Sequence, residues 1–252
     1  TGSRAALKGG ITTIFDMPNN LKPTINQKRL DEKKALAKKS IHVNYGFYYG
    51  ITDENVDNAK HITGNCGYKI YLGSSTGNLL ISNWRRTLPI CYALEKPVII
   101  HAEDESQIQI NQQKAGNISP LDHPQIRNPQ VAEAALLNIE KTLTDLTSKP
   151  RSPIIIAHIS TQKELEIIRR LQNNHFPVLS EVTLHHLLLN IQDFEKHPQL
   201  LKTNPPLRRK EESLVMQQAL HHDHITFVSS DHAPHTIQEK NSKSPPSGVP
   251  GM

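Results

Sequence analysis

The chain has 252 residues and a formal net charge of +5, with 5% aromatic residues and two cysteines. That length suits one α/β barrel domain spanning 1–252, and Cys66 and Cys91 make neither a disulfide framework nor a CxxC metal pair, so they read as reduced thiols of a cytoplasmic protein. No apolar run approaches the roughly 18 residues of a membrane-spanning helix, and the lysines are scattered without the basic, aromatic-interleaved stripe of a nucleic-acid binder.

Short β-branched runs predict strands over 11–17, 42–49, 68–72, 97–101, 153–158, 178–182 and 225–230. Helices are predicted over 27–39, 83–93, 129–146, 162–173 and 210–221. Strands alternating with helices argue for a parallel sheet with right-handed crossovers. Seven such strands fit a (β/α)8 TIM-type barrel lacking one strand better than an open doubly wound sheet, because no Gly-rich dinucleotide fingerprint follows any of them. Both ends read as cut: Thr1 to Lys8 resembles the last part of a helix, and 245–252 stops within a Pro- and Gly-rich loop.

Chemistry in such barrels sits at the C-terminal ends of the strands. Six of the seven predicted strands end in groups able to hold a metal or a substrate: 16–20, Lys69, His101, His158, 181–186 and 231–235. The 42–49 strand is the exception. One histidine after an apolar strand is often a core residue bonded to a carbonyl. Two at equivalent strand ends, with Asp231 at a third, outline a metal site that takes one ligand per strand. Asp231, with His232 and His235 one and four residues later, suits a hydrolytic centre in which the acid binds metal and moves a proton.

Lys69 lies inside an otherwise apolar and aromatic strand and has two readings. It either snorkels from a strand end, or it points inward, loses its proton beside cations and takes up carbon dioxide as a carbamate. Asp16 to Asn20 reads as a Pro-Asn turn or as an amide, Asn19, offered to substrate. The prolines after Asn204 fix a second loop of that kind. The loop 73–78 has phosphate-cradle composition without the lysine spacing of a P-loop, which favours hydroxyl contacts. His221, His222 and His224 precede a strand and so belong to the face opposite the chemistry. Of the adjacent His185 and His186, at most one faces the site.

Together these segments resemble the dihydroorotase family of the amidohydrolase superfamily: Gly9 to Thr13 with Asp16-Met17-Pro18-Asn19, Tyr68 to Tyr71, His101-Ala102-Glu103, and His158 to Thr161. Glu181-Val182-Thr183 before His185-His186, Asn204 to Arg208, and Asp231 to His235 continue the resemblance in the family's order. It implies a distorted barrel with two zinc ions. Lys69 would be the carboxylated bridging ligand, His101 and His158 would bind the second zinc, and Asp231 would bind the first and shuttle the proton. Asn19, Asn204 and His235, with Ser247 and Gly248 of the final loop, would contact the substrate.

The implied reaction is the reversible cyclisation of N-carbamoyl-L-aspartate to L-dihydroorotate, in a protein that forms homodimers or associates with aspartate transcarbamoylase. Alternatives are an allantoinase, a dihydropyrimidinase, or a non-catalytic scaffold partner of aspartate transcarbamoylase. The family's His-x-His and its arginine have no counterpart in 1–252, and Asn20, Leu184, Thr203 and Ser229-Ser230 stand where relatives often carry other residues.

Overall fold

The computed structural model describes residues 2–75, 78–116 and 119–252. Among them, seven parallel strands form one sheet in chain order: β1 (Thr13–Asp16), β2 (Asn44–Gly50), β3 (Gly67–Tyr71), β4 (Val98–His101), β5 (Ile154–Ile156), β6 (Val178–Thr183) and β7 (Phe227–Ser229). The helices are α1 (Gly2–Lys8), α2 (Gln27–Ser40), α3 (Trp84–Tyr92), α4 (Glu105–Ala115), α5 (His123–Ile126), α6 (Pro129–Thr144), α7 (Gln162–Asn173), α8 (Leu184–Leu188), α9 (Ile191–Lys196), α10 (Lys210–His221) and α11 (Ile237–Lys240). Consecutive parallel strands joined by helices make an incomplete (β/α)8 barrel, as the alternating pattern predicts.

All seven predicted strands form, with ends that differ from the predicted ones by at most two residues, and so do all five predicted helices. Helix α4 was not anticipated. Asp104 caps it by accepting from the Gln107 amide, and Ile108 is its one wholly buried side chain, so it carries no apolar stripe to read.

Parallel partners point the same way, so the pairings define which residues line the barrel. Lys69 lies opposite Gly50 on one side and Ile99 on the other, Tyr71 opposite His101, and Ile99 opposite Ile155. Tyr48, Ile99, Ile155 and Ala157 form a small inner cluster with Leu179 and Phe227 packed against it. The alternate residues, among them Tyr68, Ile70, Val98, Ile100, Ile154, Ile156 and Val178, face outward. There they meet Leu88, Leu136, Ile139, Leu165, Ile168 and Met216 of the surrounding helices in the main core. The barrel is thus apolar on the outside of its sheet and increasingly polar toward the inner strand ends.

Strand β2 contributes floor rather than chemistry, since Tyr48 packs beside Phe15 with ring centroids 6.1 Å apart. His221, His222 and His224 are exposed, as the face assigned to them requires.

Ile100→Ala and Leu136→Ala, both wholly buried between sheet and helices, are each expected to lower the unfolding free energy by about 2–5 kcal/mol in urea titrations. The exposed Leu121→Ala should change it by less than about 0.5 kcal/mol. Equal losses at all three positions would contradict this placement of the core.

Candidate active site

His101, His158 and Asp231 each stand where a strand stops. His101 is the last residue of β4, and Asp104 starts α4 three residues later. His158 follows β5 by two residues, after which the Thr161 hydroxyl caps α7 by accepting from the Glu164 amide. Asp231 follows β7 by two residues. Both His158 and Asp231 adopt φ 41°, a left-handed conformation that non-glycine residues rarely take outside turns and functional sites.

The two histidines meet. His101 Nδ1 and His158 Nε2 lie 2.9 Å apart, with ring centroids 4.8 Å apart and planes at 76°. Burial pushes the pKa of each ring below the ordinary histidine value, and for His158 the neighbouring His101, Lys69 and His186 push the same way. Both rings are therefore neutral near pH 7, and across the 2.9 Å contact one facing nitrogen donates its proton to the lone pair of the other. Among the described residues His158 Nδ1 has no hydrogen-bond partner. His101 Nε2 lies 2.9 Å from Glu103 Oε2, yet off the line of a well-formed hydrogen bond.

Lys69 points inward beside them, 3% exposed, which removes the snorkelling reading. Its Nζ lies 5.1 Å from the centroid of the Tyr71 ring. Burial lowers its pKa to about 8, with Glu181 and Asp231 pulling the other way. Glu181, buried on the inner face, is pushed up by desolvation and by Asp231, while Lys69 opposes the rise. Asp231 itself is exposed at the mouth and reaches this group through its field.

These donors suit zinc in kind: two buried, neutral imidazole nitrogens that face each other, with an amine of lowered pKa nearby. Among the described residues, no group of three or more His, Cys, Asp or Glu side chains converges on one point. The fit therefore rests on the histidine pair and Lys69.

A second cluster gathers four of the five expected substrate contacts. The Ser247 hydroxyl donates to Asn204 Oδ1 at 3.1 Å, and His235 Nε2 donates to the Ser247 carbonyl at 3.1 Å. The Gly248 amide donates to the Lys202 carbonyl at 2.8 Å. Gly248 has φ 133°, and a Cβ there would sit 2.5 Å from the Ala233 carbonyl oxygen, so only glycine lets the loop pass so close. Lys202 and Lys240 hold the loop from beneath by donating to the Pro245 and Pro246 carbonyls at 2.9 and 3.0 Å. Residues 245–250 are thus pinned in place.

Asn19 lies half-buried in the turn after β1. Asp16 at its start pairs with Lys33 of α2, which also donates to the Met17 carbonyl at 2.8 Å. His186 is structural: Nδ1 lies 2.7 Å from the Thr183 hydroxyl and Nε2 donates to the Pro205 carbonyl at 3.2 Å. His185 Nε2 has no partner among the described residues and feels Asp231, so one of the pair turns to the site. Thr76 and Gly77 of the hydroxyl loop lie outside the described residues.

Sequence reasoning assigned no role to Glu103, Arg127 or Arg208. All three are buried in one ionic group at the strand ends. Glu103 stood in view, two residues after His101. Arg127 follows a four-residue helix with no periodicity to mark it.

No family model matches the chain. In fold it matches an L-hydantoinase (dihydropyrimidinase) from Arthrobacter aurescens with a TM-score of 0.89 at 23% identity, covering 98% of this chain and 57% of that one. The architecture the two share is the (β/α)8 barrel, incomplete in this chain. In sequence the chain is similar over its whole length to dihydroorotases: it is 32% identical to that of Thermococcus kodakarensis and 33% identical to that of Methanosarcina acetivorans. Each alignment covers 100% of this chain, but 54% and 56% of the relative, so the chain spans a little over half the length of the curated relatives it matches.

The Lys69 amine supplies a pH test. Its folded pKa of about 8 lies below the ordinary 10.5, so the cost of burying the charged form is fully present below pH 8. That cost fades as pH rises toward 10.5, because the folded state has then shed its proton while the unfolded state still holds one. In chelator-treated protein, Lys69→Met should be more stable than the parent at pH 7, on the order of 3 kcal/mol. The gap should close above pH 10, and a gap independent of pH would refute a buried, strained amine.

Proposed function

We propose that the protein is a zinc-dependent dihydroorotase of the cytoplasm, interconverting N-carbamoyl-L-aspartate and L-dihydroorotate in de novo pyrimidine synthesis. The observation that carries this reading is the buried pair of facing nitrogens, His101 Nδ1 and His158 Nε2, beside the inward Lys69. Similarity to dihydroorotases along the whole chain supports it.

His101 and His158 would hold metal through those nitrogens, with Asp231 and a carboxylated Lys69 as anionic ligands. A lowered pKa leaves part of the Lys69 amine neutral near pH 7, the form that combines with carbon dioxide. The chemistry zinc supplies when bound is polarisation of an amide carbonyl and acidification of water. Asp231 takes the proton of the attacking water and returns it to the ring nitrogen as the C–N bond breaks. Its exposure at the mouth gives it access to both. Asn204, His235 and Ser247 hydrogen-bond the ring and its carboxylate, Gly248 brings their loop close enough to do so, and Asn19 approaches from the first turn.

In the full-length protein, Asp231→Asn should lower turnover of dihydroorotate by roughly 10²–10⁴-fold with unchanged circular dichroism. An active variant would refute the proton role. Lys69→Ala should lose bound zinc along with activity, and a normal zinc content would refute its role as a ligand. Parallel assays on dihydroorotate, allantoin and dihydrouracil decide the substrate: turnover of either of the latter alone would replace this reading by an allantoinase or a dihydropyrimidinase.

A further inference from the structure

We propose that Glu103 is a positioning residue: braced by Arg127, its carboxylate sets the His101 ring so that Nε2 carries the proton and Nδ1 presents its lone pair toward His158. The consequence for metal affinity rests on the zinc reading above; the setting of the ring does not.

Glu103 is wholly buried, and one oxygen, Oε2, takes both Arg127 Nη1 and the approach of His101 Nε2 at 2.9 Å. A buried carboxylate is costly unless paired. The buried ion pair with the Arg127 guanidinium supplies that partner, so Glu103 faces His101 as a carboxylate. A neutral imidazole carries one ring proton, and an adjacent anion selects the tautomer with that proton facing it. Nε2 faces Glu103, which leaves Nδ1 bare and aimed at His158 Nε2.

The brace reaches further than one ring. Arg127 Nη2 donates to the Ser74 carbonyl, just past the strand that carries Lys69. Gly73 in that same loop sits so close that a Cβ would lie 2.7 Å from the Glu103 carbonyl oxygen. On the other side, the Arg127 carbonyl accepts from Arg208 Nη1 at 2.6 Å. Arg208 Nε then donates to the Ser160 hydroxyl at 3.1 Å, two residues past His158. Glu103 and Arg127 thus tie the ends of β3, β4 and β5, and with them Lys69, His101 and His158.

The test uses the chain labelled with ¹⁵N-histidine and stripped of metal, read by two-bond ¹⁵N–¹H correlation spectra, followed by zinc titration. The parent is expected to show His101 protonated at Nε2. Removing only Glu103 would strand the buried Arg127, so the main variant is the pair Glu103→Leu/Arg127→Met, which removes both charges. It should show a mixture of the two His101 tautomers and bind zinc roughly 10–100-fold more weakly. Glu103→Gln keeps an acceptor and should fall between parent and pair. Lower melting temperature with parental tautomer and zinc affinity would reduce the group to a structural strut and overturn the proposal. A parent that shows the Nε2–H tautomer but binds no zinc would refute the metal reading alone.

Discussion

Parallel pairing puts Lys69 and His101 on the same inner surface of the sheet. Because strand partners point the same way, the alignment of Lys69 with Ile99 and of Tyr71 with His101 fixes both polar groups inside the barrel. A slip of one residue would send Lys69 and His101 into the outer layer, among Ile70, Val98 and Ile100. The large apolar contact between sheet and helices holds that register. It is the reason a lysine and two histidines can remain buried with few partners, since the energy that keeps them inside is supplied on the opposite face of the same strands.

Inside, electrostatics divide the space into two zones. One is nitrogen-rich: the neutral rings of His101 and His158 and an amine whose charge burial disfavours. The other lies immediately behind it, where Glu103 pairs with Arg127 and Arg208 sits in the fields of Glu103 and Glu164. Nitrogen donors in front with fixed charges behind is an arrangement that orients lone pairs without competing for what they bind. The pinned loop at 245–250 adds a wall of hydroxyl, amide and imidazole groups beside Asn204.

Much of this architecture was legible in the residues. The alternation of β-branched runs and helical stretches predicted the parallel sheet, and the recurrence of polar groups at strand ends predicted which end carries the site. The meeting of His101 with His158, which are 57 residues apart, follows from that phase alone. What stayed hidden has physical causes. Helix α4 buries only Ile108 completely and so shows no stripe. Arg127 belongs to a segment whose order comes from tertiary ion pairing, a term local pattern does not contain. The Pro- and Gly-rich loop at 245–250 has no local pattern that shows what holds it, since the contacts come from Lys202, Asn204 and Lys240.

The left-handed backbone at His158 and Asp231 sets durability against chemistry at single residues. Any side chain raises the energy of that conformation, and glycine alone relieves it at no steric cost. Glycine at either position would therefore relax the backbone while removing the imidazole or the carboxylate, so local stability and the proposed chemistry make opposite demands on the same residue.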